Sequence, residues 1–126
     1  IPADKNFKPY SDYIGSHLEV MDVATGKRKI LHSAPNSLQA PNWTPDNKRL
    51  IYNSDGLLYF YDLTTGAISK LNTGAINDNN NDHVLSFDGK MLGISNHLGN
   101  KSTIYTLPAT GSDAPTKINE EASGPS

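Results

Sequence analysis

Asn42–Ser54 reads NWTPDNKRLIYNS, and Val84–Asn96 reads VLSFDGKMLGISN. Each places a polar turn, Asp46-Asn47 or Asp88-Gly89, between two short runs that suit strands. Asp88 follows Asp46 by 42 positions. A second unit repeats beside the first. His17–Leu31 reads HLEVMDVATGKRKIL, and Leu57–Leu71 reads LLYFYDLTTGAISKL at a gapless offset of 40. A third copy, Thr103–Ile118, reads TIYTLPATGSDAPTKI, with Gly111 45 positions after Gly66. The period is therefore 40–45 residues, a spacing carried by solenoids and propellers.

The strand count separates these two architectures. Leu57–Leu63 alternates and is rich in aromatic residues, as a strand requires. Thr64-Thr65-Gly66 turns the chain, and Ile68–Asn72 returns it. With Gln39–Thr44 and Arg49–Ser54, one period holds four strands, which is one propeller blade. No apolar pattern of period 3.6 is long enough for a helix. The reading is all-β: about two and a half blades of a six-bladed ring. It comprises a half blade at 17–33, a blade at 39–74, a blade at 82–119, and a linker at 120–126 leading to a further blade. The half blade would take its missing strands from the far end of a longer chain or from a second chain.

Composition agrees and narrows the function. Hydrophobic residues make up 36% and charged residues 19% of 126 residues, both below the roughly 45–50% and 25% of ordinary domains. Asn, Ser, Thr, Gly and Pro fill the difference, as many tight turns demand. The net charge of −2 includes no basic run, which argues against a nucleic-acid partner. No apolar stretch is long enough to span a bilayer as a helix. The chain has no cysteine, so it offers no disulfide and no thiol nucleophile. Neither a G-x-S-x-G elbow nor a glycine-rich phosphate loop is present.

NWTPDNKRLIYNS and LSFDGKMLGISN resemble the Trp-Ser-Pro-Asp-Gly-Lys repeat of TolB-like β-propellers. The aromatic strands running into D-L-x-T-G resemble the same family. Asn79–Lys90, NNNDHVLSFDGK, is similar to small bacterial TolB-like propellers. Thr44, Phe87 and Asn47 depart from the Ser, Pro and Gly usual in the repeat. The resemblance covers residues 14–126 and maps them to the N-terminal two-fifths of such a protein, which implies a fragment. It implies a non-enzymatic module, periplasmic or secreted with the cytoplasm not excluded, that binds a protein or a small carbohydrate at the channel mouth. Two other relatives keep alternatives open. One is a metal-dependent carbohydrate-active enzyme of oligogalacturonate lyase type. The other is the gating propeller of a prolyl oligopeptidase-type peptidase.

The residues offer one place for such a site. Asn79-Asn80-Asn81-Asp82-His83 directly precedes an inner strand, and Gln39-Ala40-Pro41-Asn42 holds the equivalent place one blade earlier. Asn80, Asn81, Asp82, His83, Gln39 and Asn42 are the ligand-binding candidates, because amide, carboxylate and imidazole groups hydrogen-bond sugars and hold hard cations. The competing reading makes them ordinary turn residues in Asx turns. No catalytic residue, cofactor or metal site is assigned. His17, His32, His83 and His97 share no metal-ligand spacing, and a divalent metal enters only through the lyase resemblance. Asp22, Asp46, Asp62 and Asp88 recur with the repeat and read as turn architecture. Trp43 reads as packing between blades.

Open blade edges leave strand hydrogen bonds unpaired. The isolated 126-residue chain is therefore expected to be unstable or to associate. A clean monomer in size-exclusion chromatography would contradict this.

Overall fold

A computed structural model of the chain describes residues 15–98 and 100–120, so of the linker expected at 120–126 only Glu120, at the end of the last strand, lies within the described residues. The described residues hold ten strands and no helix. The strands are β1 (Ser16–Met21), β2 (Arg28–Ala34), β3 (Gln39–Trp43), β4 (Arg49–Ser54), β5 (Leu57–Asp62), β6 (Ile68–Lys70), β7 (Asn79–Leu85), β8 (Met91–Leu98), β9 (Lys101–Pro108) and β10 (Thr116–Glu120). They form three antiparallel sheets: β1-β2, β3-β4-β5-β6 and β7-β8-β9-β10. The fold is all-β, with blades of four antiparallel strands. The chain divides into two compact units, Ile1–Leu38 and Gln39–Ser126. The first holds the β1-β2 hairpin and the second holds both four-stranded sheets.

The repeated aspartates build the turns. Between β5 and β6, Asp62 Oδ1 accepts the backbone N–H groups of Thr64 and Thr65 at 2.8 and 2.9 Å. Gly66, at φ 74°, closes the turn by donating to the Asp62 carbonyl at 2.8 Å. Asp22 does the same between β1 and β2, accepting from Ala24 at 2.9 Å and Thr25 at 3.4 Å. The other turn has an equally strict design. The Thr44 hydroxyl donates to Asp46 Oδ1 at 2.6 Å, and Asp46 Oδ1 accepts the Lys48 N–H at 3.0 Å. The Ser86 hydroxyl and Asp88 repeat this with Lys90 at 2.7 and 3.0 Å. These bonds, more than any charge, hold Asp46, Asp62 and Asp88 below the usual carboxylate range.

The departures from the repeat also have physical readings. Thr44 supplies the same hydroxyl as Ser86. Asn47 adopts φ 60° where Gly89 adopts 72°, and Asn is a residue that tolerates this left-handed region. Phe87 takes the place of Pro45 and is fully exposed.

The two four-stranded sheets pack face to face. Ile51, Leu58, Phe60 and Leu71 from one meet Leu92, Ile94 and Leu107 from the other, with Ile76, Leu85 and Tyr105 alongside. The register explains this set. Ile51 lies opposite Phe60, and Leu92 opposite Leu107, so each pair projects from one face of its sheet. The Arg49 guanidinium lies 4.0 Å from the centre of the Phe60 ring. Trp43 behaves differently from its expected packing role. It is half exposed, and its neighbours Pro41 and Asn42 on the same strand are exposed too.

The tip of one sheet is also clamped to the next. Asp55 and Gly56 both take positive φ in a two-residue hairpin. The Gly56 carbonyl accepts the Asn79 backbone and side-chain N–H groups, each at 3.0 Å. A Cβ on Gly56 would run into the Asn77 carbonyl.

Leu58→Ala is expected to lower the unfolding free energy by about 2–5 kcal/mol in a urea titration. Gly56→Ala removes no buried surface, yet is expected to cost about 1–2 kcal/mol or more from backbone strain and contact with Asn77. A Gly56→Ala variant as stable as the parent would refute the clamp.

Candidate functional site

Both inner strands break register at corresponding places. β3 pairs regularly with β4 at Trp43 and Asn42, then shifts before Gln39. β7 pairs with β8 from Leu85 to His83, then shifts before Asn79. Such bulges bend a strand and re-aim its side chains. In β3 the shift is carried by Ala40, a non-glycine residue at φ 52° directly before Pro41. Residues before proline favour extended backbone, so this conformation is strained. In β7 the Asn80 side chain holds the bulge. Its Oδ1 accepts the Asp82 N–H at 2.8 Å and its Nδ2 donates to Ser95 Oγ at 3.0 Å.

The Asn-Asp-His run thus lies inside β7 itself, although the sequence places it just ahead of the strand. Asn79 is already paired across to Asn96 and bonded to Gly56, which extends the ladder upstream.

The two bulges meet over a cavity of about 490 Å³. Asn42, Asn81, Asp82 and His83 lie on its rim, and Ala40, Pro41, Val84, Gly93, Ile94, Ser95 and Ile104 complete the lining. The link across the blades is Asn42 Nδ2, 3.2 Å from His83 Nδ1 and 3.2 Å from the Ala40 carbonyl to which it also donates. An amide N–H donated to Nδ1 requires the imidazole tautomer with its proton on Nε2. Nε2 is buried and has no partner among the described residues. Burial pushes the His83 pKa below the usual imidazole value, opposed in part by the Ala40 backbone and the Asp82 charge.

Four of the six candidates therefore sit on one cavity. The other two brace it. Asn80 pins the bulge to Ser95, and Gln39 accepts from Asn53 Nδ2 at 3.1 Å. The apolar lining, Val84, Ile94 and Ile104, escaped the sequence reading because strand alternation does not say which face a cavity opens on. Among the described residues no group of three or more His, Asp or Glu is placed to hold a metal. No described helix is long and apolar enough to cross a membrane.

No protein-family model matches the chain. An uncharacterized protein of Agrobacterium fabrum is 41% identical over 98 residues, which is 76% of this chain and 33% of that protein. A solved Agrobacterium tumefaciens protein assigned as a TolB superposes with a TM-score of 0.73 and 40% identity, over 79% of this chain and 36% of its own. TolB from Acinetobacter baumannii superposes with a TM-score of 0.67 at 21% identity, over 82% of this chain and 26% of its own. The last shows a shared fold. The chain spans about a third of the length of the Agrobacterium proteins.

A depressed imidazole pKa has a defined sign. The unfolded chain takes up the His83 proton first as pH falls, so the native state loses stability from about pH 6.5 downward. The His83 ring protons are expected to titrate below 6.5 by NMR. The fall in urea midpoint between neutral and mildly acid pH is expected to be smaller in His83→Gln. A His83 midpoint at or above the ordinary value would refute the burial argument.

Proposed function

We propose that this chain, which is TolB-like in its sequence repeat and its fold, acts in a non-enzymatic binding propeller. Its ligand, a protein segment or a small molecule, sits in the groove where the inner strands of adjacent blades bulge. One observation carries the reading. Asn42 and His83, 41 residues apart, touch across two blades at the rim of a cavity. The cavity joins an apolar floor to a few convergent polar groups, the usual make-up of a ligand site. Strained Ala40 adds weight, since strain of this kind gathers at ligand clamps.

The groove lies on inner strands, so in a closed ring it faces the central channel. The remaining blades come from the same protein or from a second chain, in a ring of six. The compartment that fits TolB relatives is the bacterial periplasm or beyond. The acid–base balance, with 11 basic and 13 acidic residues, offers no field for nucleic acid.

The test is a thermal-shift screen of the protein that carries these blades, against neutral sugars, amines and short peptides. A ligand that binds only the native state at a hundredfold excess over Kd stabilises it by about 2.7 kcal/mol. The Asn81 side chain has no partner among the described residues, so Asn81→Ala is expected to leave the unliganded Tm in place and to diminish the ligand-induced rise. A stabilising ligand whose effect survives both Asn81→Ala and Asn42→Ala would place binding elsewhere.

A further inference from the structure

The chemistry of the groove is one-sided. Asp82 is exposed, and its carboxylate makes no hydrogen bond or ion pair with any described residue. Among the described residues no lysine or arginine lines the cavity, and burial holds His83 toward its neutral form. Asn42 directs Nδ2 at His83 and at the Ala40 carbonyl, which leaves its Oδ1 as an open acceptor. The Asn81 amide, also exposed, is uncommitted. The rim therefore presents one negative charge, the Asn42 Oδ1 acceptor and the Asn81 amide, whose oxygen accepts and whose NH2 donates. Pro41, Val84 and Ile104 line the same cavity, and Val84 is two-thirds exposed, at 67%. An anion entering here meets an uncompensated carboxylate and, among the described residues, no lysine or arginine.

From this arrangement we infer that the groove takes an aliphatic cation, an ammonium or guanidinium group on a short hydrocarbon stem. The cation pairs with Asp82 and donates to the Asn81 and Asn42 amide oxygens. The stem lies along Val84 and Ile104. Complementarity of charge at one end and of apolar surface at the other is what a lysine- or arginine-like group requires. The inference rests on the proposed reading of the groove as a ligand site, and it names the ligand's chemistry.

Four probes of matched length test it on the protein that carries these blades: n-butylammonium, n-butylguanidinium, n-butanol and butanoate. Binding is followed by ¹H–¹⁵N NMR at the Asn42, Asn81 and His83 amide groups. The two cations are expected to shift these signals saturably, with butanoate at least about tenfold weaker, the factor expected from roughly 1.4 kcal/mol of charge discrimination. Asp82→Asn is expected to erase the difference between cation and alcohol. Nα-acetyl-lysine methylamide separates the two sources of such a group. Tighter binding than n-butylammonium assigns the site to a peptide side chain, and equal binding assigns it to a free amine. Butanol or butanoate binding as well as the cations would overturn the inference while keeping the groove as a ligand site. No response to any probe would overturn both.

Discussion

The packing of one four-stranded sheet on the next is the interaction on which the rest depends. Ile51 and Leu58, fully buried, press against Leu92, Ile94 and Leu107. A single four-stranded sheet has no interior of its own. Only when a second sheet covers it does the alternation of its strands become a core. The contacts between blades follow from that closure. The Gly56 carbonyl reaches Asn79, Gly89 lies against Pro45, and Asn42 touches His83.

The turns make this closure repeatable. Each Asp collects N–H groups or a hydroxyl at its own loop, so strand register is set locally before the sheets meet. The third D-L-x-T-G copy shows what happens without the aspartate. Its turn closes instead with Gly111 donating to the Pro108 carbonyl, and the neighbouring blade braces it. Asn72 Nδ2 donates to Asp113 Oδ1 at 2.6 Å, and Ser112 N–H donates to the Asn72 carbonyl at 2.8 Å. A local cap is replaced by a contact between blades.

The groove arises where the inner strands abandon this regularity. A strand with one hydrogen-bonded neighbour has freedom to bulge, and β3 and β7 do so at the same level. The bulges keep Asn81 and Asp82 out of the ladder, with side chains exposed, and bring His83 under Asn42. Ala40 holds an unfavourable φ at that point, and the His83 ring loses solvation there. Both are costs that the stable core beneath offsets.

The architecture was legible in the amino-acid sequence because its causes are local. The Asp and Gly positions fix turns, alternation marks strands, and four strands per period mean a blade. The polar runs at Gln39–Asn42 and Asn79–His83 were legible as well, as places of interest. Their geometry was not. The chain alone could not say that Asn80 and Gln39 brace the groove while Asn81 and Asp82 face it, since that depends on how many residues each bulge adds, one in β3 and two in β7. Nor could it say that Trp43 would lie open to solvent on an edge strand. Those outcomes depend on contacts between residues some forty positions apart, and only the packing of one blade on another brings them together.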